Sequence, residues 1–170
     1  MFKKFFILAL LPLLASCGLY DEGDFCPRVQ IKRTNAYIVQ TSNVSEEFMI
    51  ELTGYEGYCF FDRRIKHDKA VITPVFKIKR IHPNDVSDVH FSYYTETVKG
   101  PPAYLGKKTY FAKVLIPVDE KEVEYKAKPV EIRIPPNMKY EFDIFLGLNL
   151  SQSDRIYNDR TFDTNLDFGE

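Results

Sequence analysis

Tyr140-Glu141-Phe142-Asp143-Ile144-Phe145-Leu146-Gly147-Leu148-Asn149-Leu150 places an apolar side chain at every second position. That is the period of a strand with one face against a core, not of a helix stripe. The same period recurs upstream. Val130, Ile132 and Ile134 alternate with charged residues before Pro135-Pro136, and Val123 and Tyr125 form a shorter run. Tyr110, Ala112, Val114 and Ile116 alternate up to Pro117, and Val89, Phe91 and Tyr93 alternate with His90, Ser92 and Tyr94. Ile72, Pro74, Phe76 and Ile78 share a face, as do Phe48, Ile50 and Leu52 on a run that is expected to stop at Gly54. Tyr58 and Phe60 share the next strand's face, with Cys59 on the opposite one, while Val29, Ile31 and Ala36–Val39 open the series.

These amount to about eight or nine short strands, punctuated by turns such as His82-Pro83-Asn84-Asp85 and Lys99-Gly100-Pro101-Pro102. The fold class expected is all-β, an antiparallel immunoglobulin-like β-sandwich. Uneven strands and proline-rich loops fit a sandwich better than a lipocalin-like barrel, although the hallmark core tryptophan is absent because the chain has none. At 28% charged and 45% hydrophobic the 170 residues are globular in composition, and they suffice for one domain with a core. A net charge of −1 offers no concentrated basic face, so no nucleic acid partner is expected, nor a purely electrostatic attachment to acidic lipid.

The chain begins with Lys3 and Lys4 and an apolar run from Phe5 to Leu14, too short to span a bilayer as a helix but right for the core of a secretory signal. Leu14-Ala15-Ser16-Cys17 follows and resembles the lipobox of bacterial lipoproteins. The resemblance implies cleavage between Ser16 and Cys17, a thioether from the Cys17 thiol to diacylglycerol, and acylation such as palmitate on the freed amine. An ordinary secretory signal with a chance cysteine is the alternative. Gly18, rather than Asp, after the cysteine points to the periplasmic side of the outer membrane. The expected organisation is therefore a signal peptide over 1–16, a lipidated tether over 17–25, the sandwich over 26–150 and a poorly ordered tail over 151–170. Ile156 and Tyr157 are the tail's candidates for contact with the sandwich.

Cys26 and Cys59 remain once Cys17 is used. In an oxidising compartment two thiols form a disulfide, the alternative being two buried unpaired cysteines. Candidates for chemistry are few. His67, His82 and His90 lie beside no nucleophile motif, the acids near 21–24 and 154–167 lack the spacing of a calcium loop, and no pair of ligands has metal spacing. No catalytic residue, cofactor or metal is expected. The 14 Phe and 11 Tyr are expected to fill a tryptophan-free core, or else to furnish a recognition face at the loops.

Cys26-Pro27-Arg28-Val29, Gly57-Tyr58-Cys59, Lys99-Gly100-Pro101-Pro102-Ala103, Phe145-Leu146-Gly147-Leu148 and Ile156-Tyr157-Asn158-Asp159-Arg160 together resemble a family of uncharacterised lipoproteins from alphaproteobacteria. The chain departs from that pattern in its ten residues after Arg160 and its richer Lys and Tyr content. The resemblance implies an envelope-facing β-domain without assigned activity. The function expected is a lipid-anchored structural or protein-interaction lipoprotein with an envelope or cell-wall partner, not an enzyme; the alternative is a periplasmic small-ligand carrier with an aromatic-lined cavity.

Overall fold

The computed structural model describes residues 20–22, 26–41, 46–82, 88–100, 103–135 and 141–163. Within these, the strands are β1 Tyr20–Glu22, β2 Arg28–Ile31, β3 Tyr37–Thr41, β4 Glu46–Asp62, β5 His67–Arg80, β6 Asp88–Lys99, β7 Ala103–Leu115, β8 Glu122–Lys126, β9 Val130–Ile134 and β10 Phe142–Leu148. A 3₁₀ turn, Arg33–Asn35, follows β2, and one helix, α1 Gln152–Asp163, follows β10. Two sheets pack as an all-β sandwich. The first is built on the long β4–β5 hairpin, with β1 and β3 lying end to end along β4, and β8 and β9 end to end along β5. The second has the order β2-β10-β6-β7.

The inward faces are those the alternation marks. Ile50, Ile72, Phe76 and Ile78 of the first sheet and Val89, Ile144, Leu146 and Leu148 of the second are fully buried in one cluster. Phe76 is its hub: its ring meets Phe91 at 4.9 Å and Tyr93 at 5.2 Å across the sheet interface. Each such ring contributes roughly 1.5–3 kcal/mol through burial alone.

Gly54 does not end a strand. β4 continues through it for 17 residues, and the register slips between Leu52, opposite Phe76, and Gly54, opposite Val75. Thr53 is the extra residue, and its hydroxyl donates to the Val75 carbonyl at 3.2 Å. A bulge of one residue exchanges the two faces of a strand. Before it, Phe48, Ile50 and Leu52 face inward; after it, Tyr55, Gly57 and Cys59 oppose the inward Pro74, Ile72 and Ala70. Tyr58 is consequently turned to solvent, 63% exposed, and Phe60 on the same face, away from Cys59 as the sequence indicates, is buried with the Lys69 ammonium 5.8 Å over its ring. Gly57 is held to glycine by this arrangement, because a Cβ there would lie 2.9 Å from the Val71 carbonyl oxygen.

Cys26 and Cys59 form the disulfide, with Cα atoms 5.5 Å apart and a sequence separation of 33. It is an inter-sheet staple: Cys26 lies two residues ahead of β2 of the second sheet and Cys59 lies in β4 of the first. The Tyr55 hydroxyl adds a second tie, donating to the Val29 carbonyl at 3.3 Å.

Three further features depart from the sequence reading. β2 runs parallel to β10, so the sheets are not wholly antiparallel. Tyr20–Glu22, expected within a tether, pairs with Phe60–Asp62 as an edge strand. Residues 152–163, expected within a poorly ordered tail, form α1. Ser151 caps this helix reciprocally: its hydroxyl accepts from the Asp154 amide at 3.2 Å, and the Asp154 carboxylate accepts from the Ser151 amide at 3.0 Å. A polar side chain docks the helix. Asn158, 1% exposed, donates its amide hydrogens to the Thr34 and Tyr37 carbonyls at 3.0 and 2.9 Å, while Ile156 and Tyr157 remain exposed.

Because the staple closes a long loop across the sheet interface, the Cys26→Ala, Cys59→Ala double variant is expected to lose about 2–4 kcal/mol of stability. Urea unfolding under non-reducing conditions measures it, and free thiols found in the native chain by alkylation and intact mass would refute the bridge.

Candidate functional site

The site with the most developed geometry is a cleft along one side of the sandwich, where edge strand β7 of one sheet faces β8 and β9 of the other. Its origin lies in two prolines. In an antiparallel strand a residue's N–H and C=O leave on the same side. The Pro74 carbonyl in β5 accepts from the Ala127 amide at 2.9 Å, so its missing N–H also faces the neighbouring strand. At that point the neighbour is interrupted: β8 ends at Lys126, Ala127-Lys128-Pro129 intervene, and β9 starts at Val130. The break falls where β5 has no hydrogen to give.

Opposite the break, Tyr93, Tyr110 and Tyr125 form the floor of a cavity of about 370 Å³, with Phe111, Lys113, Lys128, Pro129 and Val130 around it. Tyr93 and Tyr110 stack with centroids 5.2 Å apart and planes 20° from parallel. A second hollow of about 260 Å³ continues along the same gap, sharing Tyr110 and adding Thr95, Thr97, Lys107, Lys108 and Glu131. Lysines border the whole length. Lys108 sits 5.3 Å from the Tyr110 ring and Lys107 sits 3.6 Å from the Tyr94 ring, which itself lies over Gly147 on the outer face. Lys113 pairs with Asp88 at 2.9 Å, and Glu131 is answered by Lys69 at 3.0 Å. A volume above roughly 300 Å³ falls in the size range of small-molecule sites.

The side chains that sequence reasoning considered for chemistry are kept apart. His67 starts β5 and His82 follows its end, so a whole strand separates them, and His90 stands exposed on β6 of the other sheet. Asp154 is used in the helix cap. Among the described residues, no group of three or more His, Cys, Asp or Glu could hold a metal. Asp62, buried at the β4–β5 turn, is paired with Lys69 at 3.0 Å, and the hydrogen bond from that ammonium holds its carboxyl below the usual carboxylate range. Ser16 and Cys17 lie outside the described residues. Among the described residues no helix is long and apolar enough to cross a membrane. Sequence reasoning missed the cleft; the signal that could have found it is the Lys128-Pro129 interruption between the Val123–Tyr125 and Val130–Ile134 runs. The chain matches no known protein family, no characterised protein and no solved structure.

The phenols of the cleft and outer face are shielded. Burial, reinforced by Tyr125 and Tyr110, pushes the Tyr93 hydroxyl up to about 12, and burial does the same for Tyr94, also to about 12. Tyr37 reaches about 12 because it donates to Glu51 at 2.6 Å. An unfolded tyrosine ionises near about 10. The folded state therefore favours the neutral phenols. Their contribution to stability is complete below pH 10 and is lost as pH rises from about 10 towards 12. Tyrosinate absorbance should show a late-ionising group containing Tyr37, Tyr93 and Tyr94, with unfolding beginning above about pH 10. Ionisation of every tyrosine near pH 10 in a chain that stays folded would contradict this burial.

Proposed function

We propose that this chain is a lipoprotein of the cell envelope, anchored through lipid on Cys17 at the periplasmic side of the outer membrane, whose sandwich binds rather than catalyses. The anchor rests on the Lys3-Lys4, Phe5–Leu14 and Leu14-Ala15-Ser16-Cys17 order, together with the resemblance to alphaproteobacterial lipoproteins. The observation that carries the binding role is the aromatic cleft of about 370 Å³ between β7 and β8–β9. It favours the small-ligand carrier over a purely structural part, because a filled sandwich needs no such gap. A protein-interaction role has its own support. Phe111 is 86% and Leu115 67% exposed on the outward face of β7, which is an edge strand among the described residues.

Cys17→Ser should abolish incorporation of labelled palmitate, since a hydroxyl does not form the thioether; equal label in variant and parent would end the lipoprotein reading.

Replacing Phe111 with a photoreactive phenylalanine analogue, followed by irradiation of intact cells, separates the two binding roles. A small mass gain on the purified chain is the carrier's expected result, and a cross-linked protein species is that of the interaction role. An unmodified chain after full photolysis would argue against a binding function at this cleft.

A further inference from the structure

The charges and hydroxyls of the cleft between β7 and β8–β9 narrow what could occupy it. Its two hollows meet at Tyr110, and most charged residues along them are already engaged. Lys113 shares the outward face of β7 with Phe111 and is paired with Asp88 at 2.9 Å. Lys107 has its ammonium over the Tyr94 ring on the outer face. Glu131 is the one acid among the lining residues, and Lys69 engages it at 3.0 Å. The acids of β8, Glu122 and Glu124, alternate with the inward Val123 and Tyr125, and Glu122 is paired with Lys77 at 2.9 Å.

Two ammoniums are left. Lys108 shares the inward face of β7 with Tyr110, Ala112 and Val114, and its ammonium sits 5.3 Å from the Tyr110 ring. Lys128 stands exposed in the break between β8 and β9. Among the described residues, neither has an acid within ion-pair distance. The larger hollow also has Tyr93 in its wall, 4% exposed, and no described residue hydrogen-bonds its hydroxyl. A buried tyrosine ordinarily finds a partner for that group, so this one is a donor held ready beside the hollow.

We propose that the cleft takes a small ring-bearing carboxylate, its ring against the tyrosine floor and its acid group met by the Tyr93 hydroxyl and the Lys128 ammonium. Lys108 adds attraction from the neighbouring hollow. The inference rests on the carrier reading and names the chemistry of its ligand. Tyrosine rings beside Pro129 and Val130 favour a flat apolar body. Positive charge left over in an otherwise neutralised gap attracts an anion, and a phenol with an ammonium offers two separate donors for two carboxylate oxygens. Among the described residues, no arginine fork of the kind that grips phosphate lines either hollow.

Naphthoate and naphthamide, substituted at the same ring position, test this because they share a shape and differ in charge. Each labelled compound is dialysed to equilibrium, near neutral pH, against the lipidated full chain in phosphatidylcholine vesicles. Uptake by protein-free vesicles is subtracted. The expected result is saturable binding near one naphthoate per chain, at least about ten-fold tighter than naphthamide and weakened by salt. Lys108→Gln with Lys128→Gln should lower naphthoate to the level of the amide and leave the amide unchanged. Tyr93→Phe keeps the ring in place and should cost naphthoate several-fold. Lys113→Gln, at a lysine already paired, should change neither. Equal affinity for the two compounds, or a preference that survives the double variant, overturns the carboxylate assignment while the carrier reading stands. Unchanged naphthoate binding in Tyr93→Phe overturns the role of the hydroxyl. If neither compound binds, the carrier reading falls, and this inference with it.

Discussion

A single inserted residue, Thr53, sets the geometry of this sandwich. β4 is long enough to run the length of the molecule, but an unbroken alternation from Phe48 would put Tyr58 and Phe60 inside and Cys59 outside. The bulge exchanges the faces midway. Phe48, Ile50 and Leu52 seal one half of the core, and Cys59 emerges on the inner face of the other half, within bonding distance of Cys26. The first half of the interface is held by aliphatic and aromatic packing around Phe76. The second, where β4 offers Gly57 rather than a large side chain, is held by a covalent bond and by the Tyr55 hydroxyl on Val29. One strand thus serves two kinds of cohesion.

The cleft follows from an opposite treatment of the other side. Pro74 and Pro129 deny the first sheet a continuous edge strand, and among the described residues the second sheet ends at β7. The aromatic residues there are amphipathic, and Tyr93, Tyr110 and Tyr125 can line a gap that aliphatic side chains would have to close. Lysine along the border has two roles that physics does not separate. It discourages edge-to-edge pairing with another copy, and it attracts negative charge.

Strand content, the inward faces of β5–β10 and the disulfide pairing were legible because each leaves a mark in side-chain period or residue count. The bulge was not, since a one-residue slip preserves alternation on both sides and Gly54 mimics a stop. Strand direction was hidden as well: nothing in Arg28–Ile31 distinguishes a parallel partner from an antiparallel one. The helix was missed for another reason. Its hold on the body is the Asn158 amide rather than an apolar stripe, and periodicity sees only stripes. The cue that could have found it was Ser151-Gln152-Ser153-Asp154, a capping box with Asp in place of Glu. Of the cleft, composition told that aromatics were abundant; only the pairing of the sheets told that two edges leave a gap between them.

The placement of β1 and the staple also defines a load path. Tension arriving along the chain ahead of Tyr20 meets β1, whose hydrogen bonds to Phe60–Asp62 run across the strand axis and are strained together in shear rather than one after another. Should those three residue pairs part, the slack extends only to Cys26, where the disulfide delivers the force to Cys59, one residue from the same segment of β4. Mechanical failure at the first contact is therefore arrested covalently, and the pull is passed to the longest strand, paired with β5 along nearly its whole length, before β2 or the core can be peeled.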